Sequence, residues 1–137
     1  EGIQSIADMK RLLDGLDHPN LGICLAPPHM WAAQESVVEA IEFLAAREKL
    51  FFYYVWDIDA GYRRGVDGLN FGPAELQLPR PDGTLDHRAL FDTLEKVGYE
   101  GVASLKCHGT AGWETSRVTD EVRRSAEYIR GLLARDS

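Results

Sequence analysis

Three short stretches of the chain end in side chains able to do chemistry: "APPH" at 26–29, "YYVWD" at 53–57 and "LKCH" at 105–108. His29 follows a Pro-Pro step that fixes two consecutive φ angles and so holds the imidazole in a set direction. Lys106 sits where an apolar run ends. A desolvated lysine there can act as a base or a Schiff-base nucleophile, and its charge can stabilise an oxyanion. The simpler role is an ion pair with Asp57 or Asp59, and it ranks first. His29 reads as a pocket or hydrogen-bonded rim residue ahead of a general base. Trp31 and Trp113 lie just past two of these runs. Indole rings in such places stack on sugars, pack into a core or meet a partner. Tyr53, Tyr54 and Trp56 are equally open between core and stacking platform. His108 and Cys107 show no nucleophile–base arrangement at this level, and the acids of Asp17–His18 and Asp86–His87 read as helix caps.

These residues need a scaffold, and the hydrophobic pattern supplies one. "SIADMKRLLDGL" spaces Ile6, Met9, Leu12, Leu13 and Leu16 as a helix, with Ser5 and Asp8 placed as a capping box. "LGICLA" is a short continuous apolar run, as in a buried parallel strand. "QESVVEAIEFLAAREK" is helical, with Val37, Val38, Ile41, Phe43 and Leu44 on its apolar face, and "LFFYYVWDID" is an aromatic-rich strand. Residues 60–84 are rich in Gly and Pro and form a long loop, a feature usually tied to function. A helix follows over about 86–97, a strand over 102–107 and a last helix over about 115–134.

The order is one helix and then three strand–helix units, so parallel pairing with right-handed crossovers is expected. Parallel α/β sheets bind ligands at the carboxyl ends of their strands. Residues 26–29, 54–59 and 106–108 therefore belong to one rim. The fold class is α/β: one domain over residues 1–137, with about three parallel strands and four helices.

Charge and composition exclude some functions. The net charge is -7 and basic residues are scattered, which removes the footprint of a nucleic-acid binder. "LFFYYVW" is too short to span a membrane, and from the polar, acidic first residues no signal peptide is expected. A cytoplasmic location is expected. Cys24 and Cys107, inside apolar runs without metal-like spacing, are expected to be reduced core thiols.

The sequence also resembles the sugar phosphate isomerase/epimerase family, the xylose-isomerase-like TIM barrels. "HPNLGICLAPPHMW" is similar to that family's sixth strand and the turn after it, and "LFFYYVWDID" to its seventh. "LEKVGYEGVASLKCHG" is similar to the approach to its eighth strand, and "PRPDGTLDHRALFDTL" to the segment between those two strands. The "GYEG" step is the most specific part. The resemblance implies a partial (β/α) TIM-type barrel, since it covers the last three of eight strands. A three-stranded parallel sheet exposes unpaired backbone at both edges, so a homo-oligomer or a partner chain is expected to complete it, unless the chain is part of something longer.

The same resemblance implies which residues face the ligand. It places Ala26, Tyr54 and Lys106 where the family holds a divalent cation with Asp, His and Glu, so no metal and no other cofactor is expected. It sets His29 at the substrate-binding histidine, Asp57 at the acid closing the strand-seven motif, and Arg63 or Arg64 near an arginine that binds an anion or hydroxyl. Lys106, His29 and Asp57 are thus the candidate catalytic residues. His29, Trp31, Tyr54, Arg63, Arg64 and Trp113 are the candidate binding residues. The implied function is an isomerase/epimerase-related protein that binds a small sugar or polyol without a metal. The alternative is a non-catalytic half-barrel that completes or regulates a barrel enzyme.

Overall fold

Alternation and helix capping set the architecture in the computed structural model, which describes residue 3 and residues 5–61 and 77–134. The described elements are α1 (Ile6–Leu16), β1 (Ile23–Leu25), α2 (Pro27–Ala32), α3 (Val37–Ala46), β2 (Leu50–Val55), α4 (His87–Lys96), β3 (Val102–Leu105) and α5 (Thr115–Leu133). Three helices start on side-chain caps that satisfy otherwise orphaned amides. Ser5 accepts from Asp8 N at 3.1 Å, Ser36 from Glu39 N at 3.2 Å and Asp86 from Ala89 N at 3.0 Å.

The strands form one parallel sheet in the order β1-β2-β3. The result is a partial TIM-type barrel, with helices intervening between the parallel strands. Cys24 pairs with Phe52, and Tyr54 with Ser104, which fixes two sets of side chains on opposite faces. Leu25, Tyr53 and Val55 turn toward the helices and are buried in a core with Ile41, Leu44, Leu90, Phe91 and Leu94. The ring of Tyr53 meets Phe91 edge-on at 6.3 Å. On the other face Cys24 and Val102 are exposed, while Phe52, Tyr54, Ser104 and Lys106 are only partly buried.

Two local expectations change. The Pro-Pro step is not merely a rim turn; it starts α2, a fifth helix beyond the four the pattern suggests. Proline in the first helical turn loses no intrahelical hydrogen bond, and its fixed φ already suits a helix. Cys24 and Cys107 are free but exposed, not core thiols. Cys24 belongs to the open face of β1, and Cys107 lies beyond the last residue of β3.

Candidate functional site

Strand parity decides which rim residues meet. Tyr54 and Trp56 share one face of β2, and Ser104 and Lys106 share the same face of β3 and its extension. Lys106 N donates to Val55 O at 3.0 Å, which carries the pairing one residue past the regular strand. Its side chain then lies across two aromatic rings, with Nζ 4.4 Å from the Trp56 centroid and 5.3 Å from that of Tyr54. An ammonium over an indole face is held by the ring quadrupole, at roughly 0.5–2 kcal/mol depending on desolvation.

Trp56 is fully buried and is the centre of the cluster. His29, on α2, meets it edge-on at 5.4 Å, and His108 lies 5.5 Å away at a tilt. His108 Nδ1 is 2.7 Å from Oε1 of the buried Gln77. The carboxyl end of the sheet therefore gathers His29, Tyr54, Trp56, Lys106 and His108. A separate groove of about 430 Å³ follows β1 past Met9, Leu12 and Cys24 to Ala26 and His29. Among the described residues it meets this cluster at His29 alone.

Asp57 is placed differently. It is one residue beyond Trp56 and so turns to the helix side, where its exposure is 0%. Its Oδ1 accepts the amides of Ile58, Thr84 and Leu85 at 2.8, 3.2 and 3.1 Å, and its Oδ2 lies 3.2 Å from His87 Nε2. Asp57 N donates to Gln77 O at 2.7 Å. The carboxylate thus ties the end of β2 to the segment leading into α4. Gly83 is required at this close approach, because a Cβ there would sit 2.0 Å from Asp57 Oδ2. The expected pairing of Lys106 with Asp57 is replaced by two separate arrangements: carboxylate on imidazole behind the sheet, ammonium on rings in front of it. Asp59 accepts from Gly61 N at 2.6 Å in a local turn.

The other candidates are spread out. Trp31, half-buried on α2, packs against the hydrophobic core. Trp113 lies in the β3–α5 connection with the Arg117 guanidinium 3.7 Å from its ring centroid. Arg63 and Arg64 lie outside the described residues. Sequence reasoning put His108 on the rim without a role, and passed over the part played by His87 and Gln77. For His108 a signal existed, since it lies two residues beyond Lys106 in near-strand spacing. For Gln77, inside a Gly/Pro-rich loop, none did.

The residues matched to metal ligands do not suit a hard dication. Ala26 offers no donor atom, Tyr54 is a phenol beneath an ammonium, and protonated Lys106 repels a cation. Among the described residues no group of three His, Cys, Asp or Glu side chains is arranged to hold one.

Comparison with known proteins bears on the fold and the family. A xylose isomerase domain protein from Alicyclobacillus acidocaldarius subsp. acidocaldarius superposes with a TM-score of 0.65 at 20% identity. The alignment covers 96% of this chain and 45% of that one, so this chain spans under half the length of that structure. No curated protein matches the sequence. No described helix is long and apolar enough to cross a membrane. The sequence model described as a xylose isomerase-like TIM barrel matches residues 1–132, nearly the whole chain. A parallel sheet with helices between its strands, polar side chains gathered at its carboxyl end and that match together place this chain in the xylose isomerase-like TIM-barrel family.

Proposed function

We propose that the carboxyl rim binds a small sugar or polyol and works without a divalent cation, as an isomerase/epimerase-related site. The observation that carries this reading is the ring cluster, with Trp56 flanked by an ammonium and two imidazoles. The half-buried Tyr54 ring, rather than the fully buried Trp56 beneath the cluster, would offer its face to the C–H side of a sugar, while Lys106 donates to a carbonyl or hydroxyl oxygen. An ammonium at this position supplies the positive charge that the family pattern assigns to a cation. In the reaction class proposed, that charge would stabilise an enediolate oxygen while the His29 imidazole takes the proton that leaves the adjacent carbon.

The test is calorimetric titration with D-fructose, D-xylulose and xylitol, alongside elemental analysis after dialysis against Mn²⁺. Saturable binding of at least one sugar, weakened at least tenfold by Lys106→Met, is the expected result. No binding of any of the three overturns the carbohydrate reading, and stoichiometric Mn²⁺ overturns the metal-free one.

A second reading is favoured by the sheet edges. Among the described residues β1 and β3 each pair on one side only, and the resemblance covers part of a barrel. In that reading the chain serves as one part of a larger barrel, with the remaining strands contributed from outside the described residues. Binding of a sugar without proton exchange at the carbon next to its carbonyl favours this second role.

A further inference from the structure

We propose that His108 is the hydroxyl-recognising residue of this rim and that Gln77 is the positioning residue that gives it that role. The inference rests on the carbohydrate reading above and adds a pairing, Gln77 with His108, that neither the resemblance nor the strand pattern supplied. The amide oxygen Oε1 of Gln77 lies 2.7 Å from His108 Nδ1. A carbonyl oxygen only accepts, so Nδ1 carries the proton and Nε2 is the lone-pair nitrogen. The ring is thereby set as an acceptor at Nε2.

Gln77 is well placed to impose this choice. It is buried, at 3% exposure, and its main-chain oxygen accepts from Asp57 N at 2.7 Å. Asp57 is itself fixed by three amides and His87. The orienting amide therefore hangs from a rigid, fully buried knot, while His108 is exposed on the ligand side. Opposite chemistries then flank one indole. Lys106 only donates, 4.4 Å from the Trp56 centroid, and His108 Nε2 accepts, with its ring centroid 5.5 Å from the same ring. A polyhydroxylated ligand can use both: one oxygen accepts from the ammonium and another hydroxyl donates to Nε2. A site built around an acceptor discriminates against a ligand lacking that hydroxyl proton, because the acceptor is then left unpaired.

The test begins without any ligand. Two-bond ¹H–¹⁵N correlation of the imidazoles in ¹⁵N-labelled protein at pH 8 reports the tautomer, with His108 assigned by its loss in His108→Asn. The wild type should show the Nδ1–H form. Gln77→Leu should release it toward the Nε2–H form, and Gln77→Glu, which still accepts, should preserve Nδ1–H. An Nε2–H form in the wild type overturns the proposal whatever the ligand result. In calorimetry with D-fructose, Gln77→Leu and the exposed substitution His108→Leu should each weaken binding about tenfold, as for one lost hydrogen bond to a ligand, while Gln77→Glu should retain it. His108→Leu keeps the test decisive should Gln77→Leu fail to fold. Unchanged affinity in His108→Leu overturns the hydroxyl role. Absence of binding by all three sugars, with the Nδ1–H form intact, overturns the carbohydrate reading and upholds the Gln77–His108 assignment.

Discussion

Tyr53 and Tyr54 are neighbours of identical chemistry, and the sheet gives them opposite fates. Tyr53 is fully buried against Phe91 on the helix side, and burial raises its phenol well above the ordinary value. Tyr54 is half-buried beneath Lys106. One face of the sheet is a packed core and the other, apart from the buried Trp56, is a partly open surface set with polar and aromatic groups. Stability should therefore reside behind the strands and recognition in front of them.

The sharpest way to break that contrast is Asp57→Ala. It strips the acceptor from three amides and leaves His87 buried without its carboxylate. A loss of about 4 kcal/mol is expected in urea unfolding, in the range for removing one partner of a buried pair. A loss below about 1 kcal/mol would mean that Asp57 is not the knot of the helix side.

The next comparison sets Leu44→Ala against Val102→Ala. Leu44 is fully buried, and its truncation should cost about 3 kcal/mol from lost transfer energy and the cavity left behind. Val102 is 59% exposed on the opposite face, and its truncation should stay within about 0.5 kcal/mol. Equal costs at the two positions would show that the open face is covered in solution, as a completing partner requires.

The smallest effect concerns the Cys24 thiol on the open face. Partial burial raises its pKa, and the Lys106 charge opposes that rise. Lys106→Met should raise it further and slow alkylation by iodoacetamide at pH 8 by a few-fold, since the thiolate is the reactive form. Asp57→Ala should leave this relative effect unchanged, provided the variant remains folded.

How much of this was legible in the sequence follows from the same division. Helical spacing located α1, α3, α4 and α5, and Ser5 and Asp86 stood out as caps where amides need acceptors; the Ser36 cap of α3 emerged only in the structure. The three strand ends and their common rim followed from strand–helix alternation. Asp57 was legible too: counting parity from Tyr54 puts it on the far side, but the resemblance read it as a rim acid. His87 looked like part of a helix start, since only tertiary packing brings residue 87 to residue 57. Gln77 was beyond reach, because a loop residue carries no period to count.

Pro27 and Pro28 open α2 and have no amide hydrogens. The next amide, of His29, already donates to Ala26 O at 3.0 Å. A helix start beside a ligand rim ordinarily presents a fan of amides to a phosphoryl group, and here that fan is missing. At the β1 corner of the proposed sugar site, a phosphoryl group would gain nothing from the first turn of α2, which would tilt selection there toward an uncharged end of the ligand.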